Sequence, residues 1–350
     1  MILQILIPQY KEKEEDIRKL LDSIKIQRNI NFDDIGVIIV NDGSDVHLSR
    51  YFLESYPFEI KYILNEHKGV SATRNKALKE ATADYIMFCD ADDMFYHVLA
   101  LQLIIKTINQ QKPKCIYSTF LEELENNNGL NYLALQQSFV FVHGKIYERQ
   151  FLIDNDIYWD EELYLHEDGY FNGLALGQID RKDIAYCDEP FYIWCHNPNS
   201  VSRKETTFVL DTYDQNLKAQ DKLIMKLINK NPIEAINLVA IQLFQTYFLL
   251  TGKFKDFSET KEVDFKKRKT IKNTLKYIEK LYVEFYDKFK DCYKHVSNEE
   301  RERLFLSSQA GSTFFRSEKP TSIKKFNKFL SKIKLKYNIE FDDTFTFDKE

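Results

Sequence analysis

The chain has 350 residues, of which 44% are hydrophobic and 14% aromatic, enough for one large domain or two ordinary ones. Its formal net charge of −5 is uneven, since residues 1–205 carry 21 basic and 33 acidic side chains and residues 206–350 carry 28 and 21. An acidic front half argues against nucleic acid as a partner, and a basic second half suits an anionic surface. The five cysteines are scattered without CxxC spacing, which disfavours a disulfide framework or a zinc site and favours a reducing compartment.

Neither of the two most apolar stretches of the sequence indicates export or membrane insertion. Residues 2–7 are mostly apolar, lack a basic segment before them and meet Pro8 at once, which predicts a first strand rather than a signal peptide. The most apolar later stretch, 235–250, is interrupted by amide side chains and is shorter than the roughly 20 residues that a spanning helix needs. We therefore expect a cytoplasmic protein without a transmembrane segment.

Strands and helices alternate over the first part of the chain. Apolar runs predict buried strands, and apolar residues at helical spacing separate them. The predicted strands before Asp93 cover 2–7, 36–40, 59–64 and 84–89. Strand–helix alternation indicates right-handed βαβ units and a largely parallel sheet. After Asp93 the rhythm changes, and we predict a helix near 97–110, strands at 115–119, 138–142 and 191–195, and a short helix from Glu167.

The second part of the chain has a helical pattern. From about residue 206 apolar residues recur at helical spacing, including an aromatic stripe at 275–289 and a lysine-rich stripe at 321–337. The sequence therefore predicts a mixed α/β domain over 1–205 and a mainly helical domain over 206–350. The second domain would bind the acceptor, form a homo-oligomer or lie on an anionic membrane surface, although a lysine-rich helix face is also typical of a solvated surface.

Three carboxylates, those of Asp90, Asp92 and Asp93, follow the predicted strand at 84–89. The ends of such strands form the edge of the sheet where α/β folds bind ligands. Clustered acids without a basic neighbour need a cation, and hard oxygen ligands favour Mg²⁺ or Mn²⁺. The cluster therefore predicts a metal site for a phosphorylated substrate.

Four motifs lie at predicted strand ends or helix starts, and their order is informative. They are Pro8-Gln-Tyr10, Asn41-Asp-Gly-Ser44, Gly69-Val-Ser-Ala-Thr-Arg-Asn75 and Asp90-Ala-Asp-Asp93. This order and spacing resembles the inverting, GT-A fold glycosyltransferases of family 2, although Lys11 stands where that family usually has Asn. The resemblance continues through 143–147, Glu167-Asp168 and 192–203, and it covers residues 1 to about 205. It implies a GT-A mixed sheet with a nucleotide half and an acceptor half.

The resemblance implies a site for a nucleotide sugar. Pro8 and Tyr10 would frame the base, and Asp42 would accept a hydrogen bond from uracil or ribose. Arg74 would contact the diphosphate. The plainer interpretations are an Asx-turn at Asp42 and an arginine that pairs with Asp90 or Asp92 to hold the loop.

The resemblance also implies a divalent ion, Mn²⁺ or Mg²⁺, at the acidic motif. Asp92 would be a direct ligand, Asp90 would bind the ion or the ribose, and Ala91 would lie against the donor. His196 would be a third metal or diphosphate contact. Further donor contacts would come from Lys145 and Arg203.

Catalysis is expected from the acid pair Glu167-Asp168. In the family the Asp of such a pair resembles the base that deprotonates the acceptor hydroxyl, so we assign Asp168 as base and Glu167 as the residue that orients it. The alternative is a pair of acids favoured at a helix N-terminus by the macrodipole. Trp159 could stack on a sugar ring.

The resemblance implies a metal-dependent inverting transferase. It would move a hexose or N-acetylhexosamine from a UDP-sugar to a glycan or polyol-phosphate hydroxyl of teichoic acid, capsule or lipid-linked oligosaccharide. We expect it at the inner face of the membrane. A sugar-1-phosphate nucleotidyltransferase would need a glycine-rich basic loop after the first strand, which 9–12 lacks. A non-catalytic glycan-binding protein on the same fold is the second alternative.

Overall fold

A computed structural model describes residues 1–126, 129–135, 140–198 and 213–231, together with 234, 235 and 238. The chain divides into two units, Met1–Lys204 and Glu205–Glu350. The predicted boundary between 205 and 206 lies outside the described residues and stays a prediction. Arg203 and the stripes at 275–289 and 321–337 also lie outside them.

The first unit holds short and medium strands. In chain order they are β1 Leu3–Gln9, β2 Ile35–Asp42, β3 Glu59–Asn65, β4 Tyr85–Phe88, β5 Met94–Phe95, β6 Cys115–Ser118, β7 Phe120–Asn126, β8 Gly129–Leu135, β9 Lys145–Glu148, β10 Ile184–Cys187 and β11 Tyr192–Trp194. Its helices are α1 Glu14–Lys25, α2 Arg50–Leu53, α3 Val70–Glu80, α4 Ala100–Gln111, α5 Arg149–Asp154 and α6 Glu167–Leu176.

In the second unit the described residues include one helix, α7 Tyr213–Leu227. Its buried residues are Leu217, Ala219, Leu223, Ile224 and Leu227, at the spacing of one helix face. No helix within the described ranges is long and apolar enough to cross a membrane.

The main sheet is mixed and has seven strands in the order β10-β6-β9-β4-β1-β2-β3. Neighbours β4, β1, β2 and β3 run parallel, and β9 runs antiparallel to both β4 and β6. Every residue of β2 is buried, as expected for a strand covered on both faces. The mixed α/β sheet confirms the predicted fold class for this part of the chain.

A second sheet has four strands in the order β5-β11-β7-β8. In it β11 pairs with β5 on one side and with β7 on the other, and β7 and β8 form a hairpin. The sequence prediction was wrong here in two respects. It did not include the hairpin, and it placed a strand at 138–142, where the described residues 140–142 form none. The strand β9 lies at Lys145–Glu148, and four residues are too few for an alternating pattern to be recognised.

The topology determines where the motifs meet. Because β1, β2 and β4 are parallel neighbours, their carboxyl ends lie at the same edge of the main sheet. Tyr10 follows β1, Asp42 ends β2, and Asp90 follows β4. Residues that are 80 positions apart in the chain are therefore brought to one edge.

Candidate active site

A single buried cation, the guanidinium of Arg74, joins the acidic groups of the site. Its Nη2 donates to Asp90 Oδ1 at 2.9 Å, and its Nη1 donates to Asp168 Oδ1 at 2.8 Å and to Glu167 Oε1 at 3.4 Å. The guanidinium carbon lies 4.3 Å from the ring centroid of Trp159. Arg74 is only 4% exposed, so these carboxylates compensate a charge that water does not reach.

The neighbours of Arg74 on α3 hold the same distant segment. Asn75 donates to the carbonyl oxygen of Trp159 and accepts from its N–H, both at 2.9 Å. Ser71 Oγ donates to the carbonyl oxygen of Leu163 at 3.3 Å. Gly69, at φ +92°, is the N-cap of α3, so Ser71 lies inside the helix, where its side chain makes this contact. The motif therefore attaches α3 to the segment that leads into α6.

Burial and pairing act in opposite directions on the acids around Arg74. Burial raises the pKa of Asp168 to about 6, although Arg74 opposes the shift. For Asp90 burial also favours the neutral form, but the Arg74 cation outweighs it and lowers the pKa of that carboxyl. The site thus holds one carboxylate that ionises readily and one that gains its proton in mildly acidic solution.

Asp93 holds the acidic loop in place through buried hydrogen bonds. It is fully buried, accepts from the Tyr192 hydroxyl at 2.6 Å and from the Cys195 N–H at 2.8 Å, and so connects the loop to β11. Burial, together with Asp90 and Asp92, raises the pKa of Asp93 well above its usual range. Asp93 therefore ties the motif to the second sheet.

Two of the metal ligands expected from the sequence, Asp92 and His196, contact other side chains. Asp92 accepts from Asn197 Nδ2 at 2.8 Å, and His196 Nδ1 lies 3.5 Å from Glu125 Oε2. Within the described residues, the group of three or more candidate ligand atoms close together belongs to Asp90, Asp93 and His143, all within 4.8 Å of one another. Asp92 and His196 are outside that group.

A second cluster of contacts surrounds Asp42, at the carboxyl end of β2. Its carboxylate accepts from Lys68 N at 2.8 Å, from Gly69 N at 3.0 Å and from His67 Nδ1 at 2.9 Å. The His67 ring stacks on Tyr10, with centroids 4.7 Å apart and an interplanar angle of 21°. Asp42 thus joins the end of β2 to the start of α3, so its contacts extend beyond a local Asx-turn.

Backbone geometry explains two residues of these motifs. Gly43 has φ +69°, and a Cβ there would meet His67 N at 2.3 Å, so only glycine allows the two loops to approach this closely. Lys11 has φ +71°, the left-handed region that Asn tolerates better than most residues. Lys11 adopts this conformation at a cost of roughly 1–2 kcal/mol.

The structure corrects the environments expected of two residues. Lys145 lies in β9 and is fully buried, its Nζ donates to the Phe141 carbonyl, and burial lowers its pKa to about 8. Trp159 is 2% exposed and stacks on Phe171 at 4.3 Å, so its indole packs in the core instead of offering a face to a sugar. Neither environment was visible in the sequence, because it depends on the strand pairing of β9 and on the Asn75 contacts.

The remaining predicted donor residues lie along the same edge. Pro8 is half-buried in β1, and Ala91 is buried between the acids. Sequence reasoning missed Glu12, whose carboxylate accepts from the Tyr10 N–H. Burial raises the pKa of Glu12, and the charges of Asp92 and Asp90 add to the shift, which indicates that Glu12 lies near the acidic motif.

Removing the buried cation should destabilise the fold. We expect Arg74→Met to lower the free energy of unfolding by about 3–5 kcal/mol at pH 7, because three carboxylates lose their counter-charge. The loss of stability should be smaller in acid, because the buried carboxyl groups of the variant have raised pKa values without Arg74 and become protonated. Urea unfolding of both proteins at pH 7 and at an acidic pH measures the difference.

Arg50→Met is the matched control for this change. Arg50 is 88% exposed and pairs only with the exposed Glu54 among the described residues, so its loss should leave the free energy of unfolding close to that of the wild type. Equal costs for the two substitutions would show that the Arg74 network does not stabilise the fold.

Comparisons with known proteins agree with this geometry. Residues 4–160 match the family model of Glycosyl transferase family 2. The chain is 26% identical over 302 residues to the glycosyltransferase GlyA of Streptococcus pneumoniae, covering 76% of this chain and 41% of GlyA. It is 24% identical over 210 residues to the poly(ribitol-phosphate) β-N-acetylglucosaminyltransferase TarS of Staphylococcus aureus, covering 55% of this chain and 35% of TarS. The chain thus spans well under half of these relatives.

Solved structures show the same fold. The crystal structure of Staphylococcus aureus TarS residues 1–349 in complex with UDP-GlcNAc superposes with a TM-score of 0.60 at 19% identity, covering 89% of this chain and 88% of that one. The matched segment holds the motifs at the ends of β1, β2 and β4 and the helix that carries Arg74. Residues 4–160 thus match glycosyltransferase family 2, and the first unit has the GT-A fold.

Proposed function

We propose that this protein transfers a sugar from a UDP-sugar to a hydroxyl group of a cell-envelope polymer, with inversion at the anomeric carbon. One observation carries the proposal. The Arg74 guanidinium holds Asp90, of the acidic motif, and Asp168, the expected base, within hydrogen-bond distance of the same cation. A leaving-group site and a proton acceptor must lie this close together for a direct displacement.

Asp168 suits the role of base by both position and environment. It lies in the first turn of α6, and its side chain is 19% exposed, so solvent and a substrate can reach it. Its second oxygen accepts from the Val142 N–H at 3.3 Å, which orients the carboxylate. A raised pKa makes it a stronger base than an ordinary carboxylate while leaving it largely ionised at pH 7. Glu167 shares the Arg74 cation and orients the pair.

The acidic motif fits a divalent cation by the chemistry of its donors. Asp90 is 33% exposed at the side chain and ionises readily, and Asp92 is half-buried beside it. Both offer the hard oxygens that Mg²⁺ and Mn²⁺ prefer. We assign the ion to Asp92 and Asp90, because the oxygens of Asp93 already accept from Tyr192 and Cys195. When bound there, the ion would neutralise charge on the departing nucleoside diphosphate.

The identity of the donor and the acceptor rests on the relatives. TarS is named for transfer of N-acetylglucosamine to poly(ribitol phosphate), and its matching structure contains UDP-GlcNAc. We therefore propose UDP-N-acetylhexosamine or a UDP-hexose as donor and a polyol-phosphate or glycan hydroxyl as acceptor. Such acceptors are assembled at the membrane, which favours work at its inner face.

A test of activity uses the purified chain with UDP-GlcNAc and Mn²⁺. We expect slow release of UDP, and Asp168→Asn should lower the rate by about 10²–10⁴-fold while UDP binding persists, because only proton removal is lost. Asp154→Asn, on the exposed face of α5, is the matched control and should keep the wild-type rate. Unchanged turnover in Asp168→Asn would remove this residue from the role of base.

The acidic limb of the pH profile should report the same group. Because burial raises the pKa of Asp168 to about 6, the rate should rise with pH through that value and fall about tenfold per unit well below it. Protonated Asp168 cannot accept the acceptor's proton, which sets the sign. A limb centred near 4, the ordinary value of a carboxyl group, would contradict this environment.

The metal assignment makes its own prediction. Asp92→Asn should weaken UDP binding in Mn²⁺ by roughly tenfold or more and leave binding in EDTA unchanged, as measured by calorimetry. The exposed Asp45 supplies the control, since Asp45→Asn should bind like the wild type. If Asp92→Asn keeps metal-dependent binding and His143→Ala loses it, the ion belongs to Asp90, Asp93 and His143 instead.

A further inference from the structure

The segment 140–142 supplies a main-chain hydrogen bond to Asp168. The Val142 N–H donates to Asp168 Oδ2 at 3.3 Å, whereas Arg74 donates to Oδ1 of the same carboxylate at 2.8 Å. Residues 140–142 belong to neither a helix nor a strand. No helical turn or strand ladder therefore fixes the Val142 N–H, and side-chain contacts have to hold it in place.

Two buried side chains hold this segment by its carbonyl oxygens. Asn172, in α6, donates from Nδ2 to the Val140 carbonyl at 3.0 Å, and Lys145, in β9, donates from Nζ to the Phe141 carbonyl. Both side chains are 0% exposed. Because a buried donor without an acceptor is costly, each of these groups fixes the carbonyl that it bonds. The two carbonyls directly before Val142 are thus bonded to the core.

Tyr147 orients the amide of Asn172. Its hydroxyl, which is also buried, donates to Asn172 Oδ1 at 2.9 Å, so Nδ2 is left to donate to Val140. Asn172 lies four residues after Asp168 on α6, a spacing that puts both side chains on one face of the helix. The same helix therefore carries the expected base and a residue that holds the base's main-chain donor.

The segment is fixed at its other end by Gly144. The Ser118 N–H and Oγ donate to the Gly144 carbonyl at 3.0 and 2.9 Å. Gly144 has φ +70°, and a Cβ there would lie 2.9 Å from Ser118 Oγ, so glycine allows this approach to the end of β6. The sequence His143-Gly-Lys145 thus connects the Val142 donor to the main sheet.

We propose that Asn172 and Lys145 are positioning residues for the transfer reaction, which hold the Val142 N–H against Asp168 and so keep its carboxylate in the orientation for proton removal. This rests on the proposed function, in which Asp168 is the base. Both residues are fully buried and act through the segment 140–142 without touching the substrate. Tyr147 acts one step further away, through the amide of Asn172.

Turnover and binding together test this assignment. With UDP-GlcNAc and Mn²⁺, Asn172→Ala should lower kcat for UDP release by roughly 10–100-fold and leave the calorimetric Kd for UDP unchanged, because a small displacement of a catalytic group costs much rate. Lys145→Met should act in the same direction. Gln4→Ala is the matched control, since Gln4 is a buried amide that accepts from Thr82 and Ala83 near the start of β1. It should lose stability and keep the wild-type kcat.

The pH profile gives a readout that a general loss of structure does not change. Without the Val142 donor the charged carboxylate is less stabilised, which raises the pKa of Asp168, so the acidic limb of kcat should move to higher pH in Asn172→Ala. Asn172→Ala keeps the charged and titratable groups around this carboxyl, which are Arg74, Glu167, Asp90, His143 and Lys145. In Gln4→Ala the limb should stay at its wild-type position.

Tyr147→Phe decides the question if Asn172→Ala does not fold. It keeps the ring and its edge contact with Phe171 and removes only the hydroxyl that orients Asn172. It should lower kcat by roughly two- to tenfold, as expected for one lost hydrogen bond, and move the acidic limb in the same direction.

The outcomes separate the positioning role from the proposed function. Folded variants with the wild-type kcat and acidic limb, or with changes no larger than those of Gln4→Ala, would overturn the role of Asn172 and Lys145 alone. A wild type that releases no UDP would overturn the proposed function on which it rests. A lowered kcat with an upward shift of the limb and unchanged UDP binding supports the assignment.

Discussion

A buried guanidinium is the constraint on which the rest of the site depends. A cation without water must be compensated, and Arg74 is compensated by Asp90, Glu167 and Asp168 from two distant parts of the chain. The same contacts align the acidic motif with the start of α6. The arrangement of these acidic groups therefore depends on one guanidinium, and the Trp159 ring lies against its face.

The pKa values of Asp90 and Asp168 differ because burial and the Arg74 cation balance differently at the two carboxyl groups. Asp90 is held ionised by Arg74, whereas burial outweighs the same cation at Asp168. One carboxylate is thus suited to a metal ion and the other to a proton. This division matches a reaction in which a diphosphate leaves as a hydroxyl loses its proton.

A similar arrangement surrounds Asp42. Its carboxylate accepts hydrogen bonds from Lys68, Gly69 and His67 and so joins the end of β2 to the start of α3. Main-chain donors at a helix start satisfy a carboxylate well.

The sequence by itself determined the α/β fold class and the place of Asp90 after a strand, because apolar runs followed by polar motifs mark strand ends. The order of its motifs resembles glycosyltransferase family 2, and that resemblance singled out Asp42 and Asp168. Only the tertiary structure decided what those residues touch. It put Arg74 among three acids, buried Lys145 in β9 and turned His67 outward. The physical reason is that strand order and register bring together residues far apart in the chain, and local patterns carry no information about such contacts.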